Sequence, residues 1–150
     1  MGKSIYDNGA IEDISIRIKG LQEGQMPLWG SMNATEMLFH CNIGNQAILN
    51  APKSNQKPTL KQRISKFIFF HIKKDIPKGA RGAKRFDVKG KIDGKKFEEE
   101  KSKYLNLLNQ FKNLEHKLEA QHPVFGALDH DYWGKFVWKH MDHHLKQFGL

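Results

Sequence analysis

Phe97-Glu98-Glu99-Glu100-Lys101-Ser102-Lys103-Tyr104-Leu105-Asn106-Leu107-Leu108-Asn109-Gln110-Phe111-Lys112-Asn113-Leu114-Glu115-His116-Lys117-Leu118 is the stretch that decides the fold class. Phe97, Tyr104, Leu107, Leu108, Phe111, Leu114 and Leu118 return to one face of a 3.6-residue helix, and Glu, Lys and Asn make up most of the rest. The pattern predicts an amphipathic helix of about six turns, stopped by His122-Pro123. No other part of the chain alternates with the period of two that a half-buried strand requires, so the neighbouring elements are expected to be helices as well.

Outward from this stretch, Ile11, Ile14, Ile18 and Leu21 predict a helix over about residues 8–21, ended by Gly20 and Gly24. Asn33 followed three residues later by Glu36 has the form of a capping box. The helix it opens is expected over Ala34 to Leu49, with Met37, His40, Cys41, Gly44, Ala47 and Ile48 along one face and a stop before Asn50-Ala51-Pro52. Thr59 is placed to cap a further helix reaching about Lys74, with Ile64, Phe67, Ile68 and Ile72 as its apolar stripe. Pro77, Gly79, Gly82, Gly90 and Gly94 break every period between Asp75 and Lys96, which leaves a long loop: a functional flap, a crossover or a mobile segment. Asp129 is an N-cap for a last helix running to about Phe148. The expected fold is all-α, a four-helix bundle with an extra short helix and a long basic loop, in one domain over residues 1–150.

The chain has 150 residues with 25 Lys and Arg against 16 Asp and Glu, a formal charge of +9, and 8 His. Residues 53–96 hold 15 basic residues and three acids, a net of +12, so the remainder carries −3. No apolar run approaches the roughly 18 residues of a membrane span, and no membrane partner is expected. Met1-Gly2-Lys3-Ser4-Ile5-Tyr6 lacks an apolar leader core and has Tyr6 where a myristoylation signal needs Ser or Thr, so neither export nor lipid anchoring is expected. The single Cys41 cannot form an internal disulfide, and the default compartment is a reducing cytoplasm.

Chemistry concentrates in the last helix. His140 and His144 share a stripe with Trp133 and Val137, directing imidazoles toward the core. Histidines four residues apart stand about 6 Å apart along the axis, a spacing that metal sites use. His140 with His143 would also be neighbours, so spacing leaves the second ligand open, although the centre of the stripe runs nearer to His144. Met141 stands where a zinc protease carries its glutamate, so that general base is missing. The competing reading is a pair of hydrogen-bonded core-edge histidines. His40, on the apolar face of the second helix, is the candidate third ligand, against a purely structural role for a lone His. Glu36, one turn before His40, is either the capping-box partner or a base. Cys41 lies about 100° around the helix from His40 and reads as core filling, as do Trp29, Trp133 and Trp138.

The run Leu28-Trp29-Gly30-Ser31-Met32-Asn33-Ala34-Thr35-Glu36-Met37-Leu38-Phe39-His40-Cys41 resembles the DinB superfamily. So do His122-Pro123-Val124-Phe125-Gly126 and Trp133-Gly134 with His140 through Phe148, and the nearest branch is one mostly of unknown function. The resemblance implies a DinB-like bundle with a divalent metal held by His40, His140 and His144, leaving His143 at the rim. Zn²⁺, Ni²⁺ and Fe²⁺ all suit three imidazoles. Some relatives are metal-dependent transferases acting on low-molecular-weight thiols, so the implied partner is a small-molecule substrate.

Two functions compete: a metal-dependent enzyme, a thiol transferase or a hydrolase, and a non-catalytic metal-binding or interaction bundle. The basic segment comes with no helix-turn-helix and no RNA-binding motif, so solvated charge is preferred to nucleic-acid binding. It could also draw an anionic substrate toward the metal. Bundles of this kind often pair through helix faces, which makes a homodimer an expectation.

Overall fold

The computed structural model describes residues 2–80 and 82–150; Met1, in the N-terminal reading, and Arg81, in the basic-segment count, lie outside the described residues. The chain is mainly helical: α1 (Ala10–Gly20), α2 (Ala34–Leu49), α3 (Leu60–Phe67), α4 (Phe97–Lys112) and α5 (His130–Gln147). A π turn follows α3 at Ile68–Ile72, and two short strands, β1 (Ala120–His122) and β2 (Gly126–Leu128), separate α4 from α5.

Local chemistry starts these helices where the sequence predicts. Asn33 Oδ1 accepts from Glu36 N and Glu36 Oε2 accepts from Asn33 N, both at 2.9 Å, which is the reciprocal capping box that opens α2. Asp129 Oδ1 accepts from Tyr132 N at 3.0 Å and opens α5. α4 packs on α2 and α1, and α5 lies against α1 and α2. Their facing side chains, among them Ile14 and Ile18, Met37 and Leu38, Tyr104 and Leu108, and Val137, Met141 and Leu145, join one buried cluster. Charged groups tie the helices together at its edge. The buried Asp142 carboxylate of α5 accepts from Arg17 of α1 at 2.9 Å and from Lys146 at 2.8 Å. Asn42 of α2 donates to the buried Glu100 carboxylate of α4 at 2.7 Å. The N-terminal segment crosses α5 at Gly134, where Ile5 N donates to the Gly134 carbonyl at 3.0 Å. A Cβ at Gly134 would sit 2.4 Å from Ser4 Oγ, so this crossing needs glycine.

Three expectations are corrected. The helix beginning at Phe97 ends at Lys112, well before His122-Pro123. Leu118 is still buried, but from an irregular connection that continues the apolar spacing by coincidence. Next comes a hairpin in which Ala120 pairs with Leu128 and His122 with Gly126. Its strands are three residues each, too short for alternation to show in the sequence. Trp133 Nε1 ties it to α5 by donating to the Ala120 carbonyl at 3.2 Å.

The third correction concerns α3, which forms with its expected Thr59 cap but faces the other way. Ile64, Phe67, Ile68 and Ile72 are exposed at 52%, 58%, 37% and 63% of their surface. Phe69 and Phe70 turn inward instead, with ring centroids 4.6 Å from Phe125 and 4.9 Å from Tyr132. Periodicity shows that a stripe exists; the surface available opposite decides which side is covered, and here an aromatic layer takes the two phenyl rings. Lys139 closes the end of the π turn by donating to the carbonyls of Phe69, at 2.6 Å, and Lys73.

In the crossover loop between Asp75 and Lys96, residues 86–94 are laid along the N-terminal half of α2, and Asp75 reaches α5. Asp75 pairs with Lys146 at 2.8 Å, Phe86 meets His40, Gly90 meets Glu36, and Thr35 Oγ1 donates to the Gly94 carbonyl at 3.2 Å. Val88, within it, is buried.

Candidate metal centre

α2 carries His40, and α5 carries His140 and His144 one turn apart, on the faces these helices turn toward each other. His140 Nε2 lies 3.3 Å from His40 Nε2 and 3.2 Å from His144 Nε2. One ligand atom from each of the three lies within 4.8 Å of the others.

The outer nitrogens determine what those inner ones present. His40 Nδ1 is 2.8 Å from the Phe86 carbonyl, which can only accept, so Nδ1 carries the proton of the neutral ring. Gln147 donates its Nε2 to the Trp29 carbonyl at 3.3 Å, which leaves Oε1 to accept from His144 Nδ1 at 2.6 Å. Both arrangements bare the Nε2 lone pairs of His40 and His144 toward His140. Two bare acceptors facing a third imidazole nitrogen cannot all be satisfied by the single proton that His140 can place between them. A cation satisfies all three, and imidazole nitrogens held through their other nitrogen are the ordinary donor set of a transition-metal site.

The surroundings keep the rings neutral. Burial, reinforced by His144 and His40, holds His140 far below the ordinary histidine range. Burial and the facing His40 push His144 down to about 3, against the opposing bond to Gln147. Burial also lowers His40, although the Phe86 carbonyl and Asp87 pull the other way.

An aromatic wall flanks the three histidines. Phe136 stacks on His140 with centroids 5.7 Å apart and planes 9° off parallel. His122 stands edge-on to Phe136 at 4.8 Å and stacks on Phe125 at 4.4 Å. Burial, then the charge of Arg85, lowers His122 to about 4. His122, read from the sequence as part of a helix stop, is instead the last residue of β1 and a member of this wall.

The other sequence candidates fall elsewhere. His143 is outside the group of three, with its ring 6.1 Å from Trp29 in an edge contact. Glu36 is the capping partner, and it also accepts from Gly90 N at 2.7 Å and Lys89 Nζ at 3.2 Å. Cys41 is fully buried beside Met37, and burial pushes its thiol up. His130 accepts from Leu118 N at 3.2 Å, and His71 lies 3.2 Å from the Tyr132 hydroxyl. Sequence reasoning assigned no role to Gln147 or to the Phe86 carbonyl. Gln147 was within reach, since it stands three residues after His144 on the same helix face. The Phe86 carbonyl has no side-chain signature at all.

No helix among the described residues is long and apolar enough to cross a membrane. Neither a curated protein nor a solved structure matches the chain. A family model described as "Protein of unknown function (DUF1569)" matches residues 6–149, a span that includes all three histidines, and the chain belongs to that family.

Proposed function

We propose that His40, His140 and His144 bind one divalent metal ion, Zn²⁺, Ni²⁺ or Fe²⁺, and that the chain is a single DinB-type four-helix bundle serving as a metal-dependent enzyme. The observation that carries this reading is the convergence of three imidazole Nε2 atoms, with those of His40 and His144 within 3.3 Å of that of His140 and both bared by hydrogen bonds at Nδ1. Three protein nitrogens are the catalytic rather than the structural ligand count, since structural zinc sites close with four. A divalent ion there supplies a lowered pKa to a coordinated water or thiol, generating a nucleophile near neutral pH. His40 and His144 hold their lone pairs in place, and Phe136 shields one side of His140. The resemblance to DinB-type thiol transferases makes a small thiol the first cosubstrate to test. The buried, unpaired Cys41 fits a cytoplasmic setting.

A second reading, a non-catalytic metal-binding bundle, is favoured by one observation: the group of three contains no carboxylate to act as a base. The two readings share their first test. Elemental analysis of protein purified without a His tag or metal column should find one equivalent of metal. His40→Ala, His140→Ala and His144→Ala should each abolish it, while His143→Ala keeps it. Full occupancy in any of the first three overturns the site. Thiol-dependent turnover of an electrophile by the loaded protein, lost in the same variants, supports the enzyme; stoichiometric metal without turnover supports the second reading.

A further inference from the structure

α3 and the π turn present Leu60, Ile64, Phe67, Ile68 and Ile72 to solvent as one continuous stripe, with Leu60 exposed at 74%. The spacing of four, three, one and four residues keeps them on one side of the helix. Lys61 and Arg63 lie on the two borders of the stripe, Lys57 precedes it, and Lys73 and Lys74 follow it. Residues 57–74 contain no Asp or Glu. Among the described residues, none of these five cations forms an ion pair with a carboxylate. The inward face is already occupied, since Phe69 and Phe70 hold the segment to the aromatic wall. The exposed stripe is therefore not needed to keep the segment in place.

We propose that this face docks on an anionic lipid bilayer surface, with the helix axis in the plane of the interface, which departs from the expectation of no membrane partner because that expectation rested on the lack of a spanning segment alone. A bilayer of this kind accepts both features together: the acyl boundary takes the aliphatic and phenyl side chains, and the headgroups take the flanking cations. Nucleic acid offers phosphates for the cations but no hydrocarbon for three isoleucines and a leucine. A second copy packed on the same stripe would add its own Lys61 and Arg63 while its residues 57–74 supply no acid to pair them. No helix among the described residues is able to span a bilayer, and the proposed contact is a peripheral one. It does not depend on whether the histidines hold an ion.

The test is cosedimentation of the full chain with vesicles of phosphatidylcholine containing about 30% phosphatidylglycerol, against pure phosphatidylcholine, at roughly 0.1 M and 0.5 M salt. The protein should bind the anionic vesicles at low salt, leave them at high salt and ignore the neutral ones. The triple variant Ile64→Ser, Phe67→Ser, Ile72→Ser should lose partitioning by roughly tenfold or more, and the charge variant Lys61→Glu, Arg63→Glu by a similar factor. All five side chains point into solvent, so circular-dichroism melts of both variants should match the parent. Failure to bind anionic vesicles, or equal binding by the triple variant, overturns the proposal. A dimer in sedimentation velocity that the triple variant dissolves overturns it in favour of a second copy. Salt-sensitive binding to duplex DNA in place of vesicles overturns it in favour of nucleic acid.

Discussion

Gln147 illustrates how much of the candidate centre rests on one neutral side chain. Its Oε1 accepts from His144 Nδ1, its Nε2 donates to the Trp29 carbonyl, and its own carbonyl accepts from Leu28 N at 2.6 Å. Gly30 next door has φ +86°, and a Cβ there would lie 2.7 Å from Gln147 Nε2, so the glycine both permits the turn and leaves room for the amide. Replacing Gln147 by Leu keeps the volume and removes the acceptor, which frees the His144 ring to change tautomer and orientation. Gln147→Leu should weaken metal binding by about 10- to 100-fold in a chelator competition, with helix content unchanged. An unaltered affinity would show that the bond does not position His144. The matching bond on His40 ends on a backbone carbonyl, so no substitution at Phe86 removes it.

At the level of elements, the crossover from Asp75 to Lys96 is joined to α2 at two points near the histidines: the Phe86 carbonyl on His40, and Gly90 with Lys89 on Glu36. Burial works to raise the Glu36 pKa, but the bonds from Gly90 and Asn33 and the Lys89 ammonium together hold it below the ordinary carboxylate value. The side chain is therefore ionised near neutral pH and serves two structures, the start of α2 and the crossover. Glu36→Ala should cost about 1–3 kcal/mol in denaturant unfolding. Backbone amides of residues 84–91 should exchange with solvent faster than in the parent, as read by mass spectrometry. Exchange confined to the first turn of α2 would mean that the crossover is held by other contacts. The same scale explains which elements were readable. α2 and α5 announce themselves through side-chain caps within four residues of each other, a purely local signal. The end of α4 and the hairpin depend on pairing between Ala120 and Leu128 and on Trp133 from α5, contacts that no local window contains.

Acid should unfold the whole molecule earlier than its carboxylates alone would require. His40, His122, His140 and His144 all have folded pKa values below the ordinary 6.5, reaching about 4 at His122 and about 3 at His144, with burial the leading cause at each. In the unfolded chain they titrate near ~6.5. Between the two values the unfolded chain binds more protons, so stability rises with pH across that window and is lost as pH falls from about 6.5 toward 4. Chelator-treated protein should therefore show a urea midpoint that drops steadily from pH 7 to pH 5. A flat midpoint over that range would mean that the buried rings protonate without leaving the fold.

The sequence by itself determined a mainly helical chain, the boundaries of α2 and α5, and an H-x-x-x-H pair on the face that α5 buries. Each follows from interactions within a few residues: caps, the 3.6-residue period and the four-residue step between imidazoles. It also brought forward His40 as a third candidate, as a histidine on an apolar face and as the ligand that the resemblance of residues 28–41 implies. Tertiary structure decided that His40 meets a ring 100 residues away, that Gln147 and a backbone carbonyl orient the imidazoles, and that a hairpin places His122 beside them. It also decided that the α3 stripe faces solvent. Periodicity defines the faces of a helix, but the side that becomes buried is set by the partner surface, and that surface exists only once the distant parts of the chain have packed.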